Sequence, residues 1–109
     1  MSRDMIVEAS CAMTEITGFL GKYSTSVGKD EIIIKPKDIK IPFEVTLTYN
    51  PVLFSYDVWL QSDSGYSESL YWTVSDFEIE FGMNDYEMSL FVNWLDLSIF
   101  NFARRLESF

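Results

Sequence analysis

Apolar and polar residues alternate most regularly in the middle of the chain. In the segment IPFEVTLTYN at 41–50, every second residue from Phe43 to Tyr49 is apolar, as is typical of a strand with one buried face. Apolar segments at 31–35, 52–61 and 68–74 predict neighbouring strands. The polar segment SDSGYS, with Gly65, predicts the turn between the last two of them. Together these segments predict an antiparallel meander.

The next segment, DFEIEF at 76–81, alternates in the same way and predicts a further strand. In that strand Asp76, Glu78 and Glu80 would project from one face, about 7 Å apart because of the two-residue repeat. The apolar positions change parity after Val74. A bulge or break is therefore expected between the two strands.

Helical periodicity appears at both ends of the chain. Residues 4–20 place their apolar side chains on one side of a helical wheel, although a strand is the competing interpretation, and the Ser, Thr and Gly residues of 22–30 predict a loop. A long apolar stripe predicts a second helix over 85–107. Asn84 and Glu87 fit a capping box at its start, and Arg104 and Arg105 suit the negative end of its dipole.

The C-terminal helix also carries a second apolar stripe, formed by Leu90, Trp94 and Leu97 nearly opposite the first. A helix that is apolar on two sides is either enclosed within its own domain or presents a surface to a partner. Cover by the N-terminal helix is the favoured interpretation, and a dimer or partner surface is the alternative.

These elements predict an α+β fold in which a meander of four to five strands packs against a long C-terminal helix, with a further helix at the N-terminus. A length of 109 residues and a hydrophobic fraction of 48% fit a single acidic domain over 1–109. One cysteine, Cys11, excludes an internal disulfide and is expected to be a small buried residue. Neither a signal peptide nor a membrane span is indicated, so a cytoplasmic location is expected.

Charge is the most unusual property of the sequence. The net charge is −9, and no base lies between Lys40 and Arg104. Ten of the 17 acids but only two of the eight bases lie in residues 51–109. Such a chain repels nucleic acid and anionic membranes and attracts basic partners. A surface made only for solubility normally mixes both signs, so the clustering favours a basic partner.

Candidate catalytic chemistry is sparse. Histidine is absent and there is a single cysteine, which removes Ser-His-Asp and Cys-His arrangements and the usual zinc sites. No glycine-rich phosphate-binding motif occurs. A pair of carboxylates working as acid and base is the remaining enzymatic alternative, but any acidic protein offers such pairs. The sequence therefore predicts a non-enzymatic protein without cofactor or metal.

The leading hypothesis is an acidic inhibitor of a basic nuclease or nucleic-acid-guided effector, with carboxylates that stand in for phosphates. Tyr66, at the predicted turn next to Asp63 and Glu68, is the aromatic residue most readily expected to be exposed. The predicted partner-binding residues come from the hairpin tip, the acidic strand and the helix start: Asp63, Tyr66, Glu68, Asp76, Glu78, Glu80, Asp85 and Glu87.

In general design the sequence resembles small acidic immunity proteins and anti-CRISPR proteins, although no motif specific to either family is present. The charge pattern fits two biological settings equally well: an immunity or antitoxin protein that neutralises a nuclease toxin, and a phage anti-defence inhibitor that blocks a nucleic-acid-guided or DNA-processing enzyme. The alternative, from another class, is a structural or assembly subunit that docks through Leu90, Trp94 and Leu97, with a homodimer as one form of it.

Overall fold

A five-stranded antiparallel sheet forms the centre of the protein in a computed structural model that describes residues 4–16 and 18–108. The strands follow one another in sequence order across the sheet, so the predicted meander is confirmed. Their bounds are β1 Tyr23–Val27, β2 Glu31–Pro36, β3 Phe43–Asn50, β4 Ser55–Ser62 and β5 Ser67–Thr73.

The helices lie before and after the sheet in sequence, which confirms the predicted α+β class. Asn84 and Glu87 form the predicted capping box, in which the Glu87 backbone N–H donates to Asn84 Oδ1 at 2.8 Å. Arg104 and Arg105 occupy the last turn of the same helix. The bounds are α1 Met5–Glu15, α2 Phe19–Lys22, α3 Asp76–Phe81 and α4 Asp85–Glu107.

The core lies between one face of the sheet and the helices α1 and α4. Because side chains alternate along a strand, β2, β3 and β4 each contribute every second residue to this face. The stripe predicted for the C-terminal helix supplies the other side, and Phe91, Leu95 and Phe102 are fully buried there. The Tyr56 hydroxyl donates to the Met5 carbonyl oxygen at 2.7 Å and so joins the start of α1 to the sheet.

The opposite face of the sheet is polar and uncovered by the described residues. Trp59 and Tyr71 are 46% and 71% exposed there, among serine and threonine side chains. Trp59 is exposed because its side chain, like those of its cross-strand neighbours Thr46 and Ser69, points to the outer face of the sheet.

The strand predicted at 76–81 is wrong, because these residues form the helix α3. Ser75 caps this helix in a capping box with Glu78, whose backbone N–H donates to Ser75 Oγ at 3.2 Å. Phe77 and Phe81, four residues apart, contact each other with ring centroids 4.8 Å apart. A six-residue segment is too short for its alternation to exclude a helix, and the cap decides in favour of the helix.

The N-terminal predictions also need correction. The helix expected over 4–20 ends at Glu15, and a second short helix begins at Phe19 after Gly18, which has a φ of +93°. The loop expected over 22–30 contains the strand β1, which lies at the edge of the sheet and pairs with β2. Because β1 has one neighbouring strand and a mostly exposed surface, its sequence does not show the alternation of apolar and polar residues that marks a half-buried strand.

Two smaller predictions differ from the structure as well. The strand expected from residue 52 begins at Ser55, because residues 51–54 form a turn. In this turn Phe54 adopts a φ of +52°, and the Asn50 side chain accepts backbone hydrogen bonds from Val52 and Leu53. Cys11 is exposed on α1 rather than buried.

Candidate functional site at the acidic end

One end of the molecule collects carboxylates from three helices. The side chains come from the first turns of α1 and α4 and from α3, and they are called here the acidic end. Its members are Asp4, Glu8, Asp76, Glu78, Glu80, Asp85 and Glu87. Within the described residues, no ion pair joins Asp76, Glu78, Asp85 or Glu87 to a basic side chain.

The caps of the three helices fix the positions of these acids. Asp4 caps α1 by accepting from the Ile6 and Val7 backbone N–H groups at 3.1 and 3.2 Å. In α3 and α4 a glutamate at the third helical position closes each capping box. Acidic residues are favoured at these positions because the helix dipole is positive there. Part of the acidic end therefore has a structural role of its own.

The carboxylates of Glu78 and Glu87 lie close to each other at the starts of α3 and α4. Burial raises the pKa of Glu78, and the neighbouring Glu87 carboxylate raises it further, whereas hydrogen bonds with Ser75 oppose the rise. A nearby carboxylate disfavours the ionised form of Glu78 because like charges repel. The two helix starts thus carry a charge repulsion that no described base relieves.

Tyr56 connects the acidic end to the core. Its ring is fully buried, and burial raises the pKa of its hydroxyl, with the carboxylates of Glu8, Glu78 and Asp4 adding to the rise. All three carboxylates therefore lie near one buried hydroxyl, although they come from distant parts of the sequence. Asp4 and Glu8 were not among the predicted site residues, because their position beside α3 depends on how α1 crosses the sheet.

A groove of about 680 Å³ runs beside the acidic end. Lys29 and Asp30, from the turn between β1 and β2, lie along it with Asp4. Its apolar lining includes Tyr49, Pro51, Phe54 and Ile79. A partner that meets the carboxylates would therefore also find apolar surface next to them, together with one lysine.

The hairpin tip predicted as part of the same surface lies elsewhere. Asp63 and Glu68 flank the start of β5, whereas the acidic end follows its last residue. The strand between them spans about 24 Å at about 3.4 Å per residue. The structure therefore separates the predicted site residues into two groups at opposite ends of β5.

The side chains at the hairpin tip are bonded within the protein. Arg105 binds Glu68 through two hydrogen bonds of 2.5 Å, and Tyr66 donates to Glu68 at 2.7 Å. The Arg105 guanidinium, with Tyr66, holds the pKa of Glu68 below its usual value, partly offset by desolvation. Tyr66, expected to be exposed, is half-buried and stacks on Phe102 with ring centroids 5.6 Å apart. Glu68 is thus less available to an outside partner than the sequence suggested.

The three side chains of the second stripe of α4 differ in burial. Trp94 is half-buried and packs against Trp72 of β5, with ring centroids 5.2 Å apart. Leu90 and Leu97 remain 43% and 59% exposed. The cover by the N-terminal helix that the sequence favoured therefore does not extend to these two leucines.

Neither a metal centre nor a membrane span is found in the part of the chain that the structure describes. No group of three or more potential ligands among the described acids and cysteine is arranged to hold a metal ion. None of the described helices combines the length and apolar character that crossing a bilayer requires. Comparisons with protein-family models, with curated proteins and with solved structures found no match to this chain.

Proposed function

We propose that this protein is a non-enzymatic binding protein that blocks a basic, nucleic-acid-handling partner with its acidic end. The observation that carries the proposal is the meeting of α3 and α4, where burial and, secondarily, the neighbouring Glu87 carboxylate raise the pKa of Glu78. Repulsion of this kind costs stability in the free protein. A cationic partner would relieve it, so binding gains energy that an isolated carboxylate could not provide.

The geometry also supports phosphate mimicry. Asp76 and Glu80 are exposed and lie four residues apart, which places them on the same side of α3. Asp85 is exposed at the start of the next helix. A row of fixed negative charges steers a basic protein into contact and competes with nucleic acid for its basic groove. The hairpin tip is left out of this surface because Glu68 already binds Arg105.

Two biological settings fit this chemistry equally, and both place the protein in the cytoplasm. One is an immunity or antitoxin protein against a nuclease toxin. The other is a phage anti-defence inhibitor, similar in kind to anti-CRISPR proteins, that blocks a nucleic-acid-guided effector. In both settings the partner has a basic surface that normally contacts phosphates.

The proposal is tested by comparing two charge-reversed variants in affinity capture from host lysate. The site variant carries Asp76→Lys and Asp85→Lys, both exposed at the acidic end. The control variant carries Asp63→Lys and Glu107→Lys, which make the same change in net charge at exposed positions far from it. Thermal unfolding checks that both variants fold.

A basic nuclease or nucleic-acid effector should be captured by the wild type and the control but lost by the site variant. It should elute as salt is raised, because surface charge contacts are screened. Added duplex DNA should compete with the wild type for this partner, since both occupy the same basic groove. Equal capture by both variants, or capture unaffected by DNA, would remove the acidic end from the binding surface.

A second candidate function is supported by the exposure of Leu90 and Leu97 on α4. These residues favour an assembly subunit that docks through the Leu90, Trp94 and Leu97 stripe. Apolar contacts are not weakened by salt, so a partner held by this stripe should remain bound at the ionic strength that releases a charge-bound one. The same capture experiment therefore separates the two candidates.

A further inference from the structure

The last strand of the sheet has an open edge. β5 pairs with β4 and with no other strand among the described residues. Ser62 N–H donates to the Tyr66 carbonyl at 2.9 Å, and Val74 N–H donates to the Phe54 carbonyl at 2.8 Å. In an antiparallel ladder, hydrogen-bonded residue pairs alternate with non-hydrogen-bonded pairs. These two bonds therefore identify which residues of β5 form hydrogen bonds with β4.

The alternation leaves a regular row of backbone groups that have no partner among the described residues. Even-numbered residues of β5 bond to β4, so the odd-numbered residues direct their N–H and C=O groups away from the sheet. The outward residues are Ser67, Ser69, Tyr71 and Thr73, of which the last three are exposed. The edge is therefore ready to accept another strand along its full length.

β5 lacks the features that normally protect an edge strand. Its sequence, SESLYWT, contains no lysine, proline or glycine. Its one charged residue, Glu68, is already ion-paired with Arg105 on the helix side of the sheet. The other edge strand, β1, is shorter, with five residues against seven. The open, uncharged edge of β5 is thus the better template for pairing.

The second stripe of α4 begins beside this strand, at Trp94. Trp94 and Arg105 contact β5 through Trp72 and Glu68, whereas Asp96 faces the other side and binds Lys22 and Tyr23. At about 100° per residue, Leu90 and Leu97 lie about 40° and 60° from Trp94 on the wheel, turned away from the core. One occupant placed beside β5 would therefore meet the open edge and lie next to Trp94, the member of the stripe that contacts β5.

We propose that this occupant is a second copy of the chain, which pairs its own β5 antiparallel to this one about a two-fold axis at Leu70. This inference names the partner for the second candidate function and rests on it, while it is independent of the acidic end. Only this register pairs all four outward residues: Ser69 lies opposite Tyr71 of the second copy, and Ser67 opposite Thr73. The two copies then share one continuous sheet, with both α4 helices on the same face.

The charges of the two copies are compatible with this pairing. No like charges face each other along β5, because Glu68 lies opposite Trp72 of the second copy. Antiparallel pairing also directs the two α3 helices to opposite ends of the joined strands. The acidic ends are therefore kept apart despite a net charge of −9 on each chain.

Disulfide trapping tests the register directly. In a Cys11→Ser background, Leu70→Cys places two thiols across the axis in a non-hydrogen-bonded pair, with Cα atoms about 4.5 Å apart, within the range for a disulfide. Thr73→Cys is the matched control, because the two copies of residue 73 lie about 20 Å apart along the strands. Under mild oxidation, Leu70→Cys should form a covalent dimer and Thr73→Cys should not. Equal cross-linking of both variants, or of neither, overturns the proposal.

Sedimentation equilibrium of the wild-type chain provides a second test. Dimerisation should strengthen as salt rises, because screening reduces the repulsion between two anionic chains and leaves apolar contacts unchanged. Ser69→Pro removes one outward N–H and should give a monomer, whereas Ser69→Ala keeps that N–H and should dimerise like the wild type. A wild-type chain that stays monomeric at every salt concentration overturns the self-pairing. If the wild type is monomeric but captures a different protein from lysate in a salt-resistant manner, the self-pairing is wrong and the assembly function still stands.

Discussion

Trp94→Ala is the substitution that best separates stability from surface function on α4. The Trp94 ring is half-buried and contacts two aromatic rings, Trp72 at 5.2 Å and Phe91 at 6.1 Å between centroids. Truncating a fully buried tryptophan costs roughly 3–5 kcal/mol. Because only part of this ring is buried, we expect a loss of about 2 kcal/mol, which includes both aromatic contacts.

This loss is large enough to measure in a chain of this size. An unfolding entropy of about 2.1 cal/mol/K per residue makes each kcal/mol worth about 4 °C in Tm. Thermal and urea unfolding, followed by circular dichroism in dilute protein at low salt, should therefore show a fall in Tm of about 8 °C. The matched control is Leu97→Ala, which removes an exposed side chain and should cost less than about 0.5 kcal/mol.

The comparison of the two variants decides the role of Trp94. If both lose about the same small amount of stability, the ring contributes nothing to the core, and the packing described for Trp94 is refuted. If Trp94→Ala unfolds at the lower temperature while Leu97→Ala does not, Trp94 anchors α4 to β5. Leu97 and Leu90 are then the members of the stripe free to contact a partner.

Two further substitutions examine the acidic end. Tyr56→Phe removes a buried hydrogen bond to the Met5 carbonyl and should cost about 1 kcal/mol in urea unfolding; no loss would mean that the bond does not hold α1 on the sheet. Glu78→Gln should stabilise the protein by about 0.5 kcal/mol at neutral pH, because it keeps the capping box and removes the repulsion with Glu87. Since the pKa of Glu78 is raised in the folded state, the wild type should lose stability as pH rises through that pKa, and the variant should lose less. Parallel pH profiles of unfolding free energy would contradict this assignment.

Local patterns in the sequence were sufficient for the longest elements. The stripe of α4, its capping box at Asn84 and its two terminal arginines all act within the helix, so the element could be predicted without knowing what covers it. The alternation of β3 served equally well, since one of its faces is buried and the other is not. Prediction was weakest for β1, an edge strand with little apolar alternation.

The acidic segment 76–81 marks the point at which the sequence became ambiguous. Its alternation fits a strand, but Phe77 and Phe81 also fall on one side of a helix, and six residues cannot distinguish the two periods. The cap at Ser75 stabilises the helix locally, through its capping box with Glu78. The carboxylates are therefore presented from a helix rather than from a sheet face.

The sequence by itself determined the fold class, the strongly negative charge, and the absence of histidine-based chemistry. Only the tertiary structure decided which charges act together: it placed Asp4 and Glu8 beside Glu78 and separated all three from the hairpin tip. It also placed Trp94 of α4 beside β5, the strand whose outer edge is open among the described residues. The physical reason is that charge and periodicity are properties of single residues and short segments. Which segments meet depends on how helices cross a sheet, and that is fixed by packing between residues far apart in the chain.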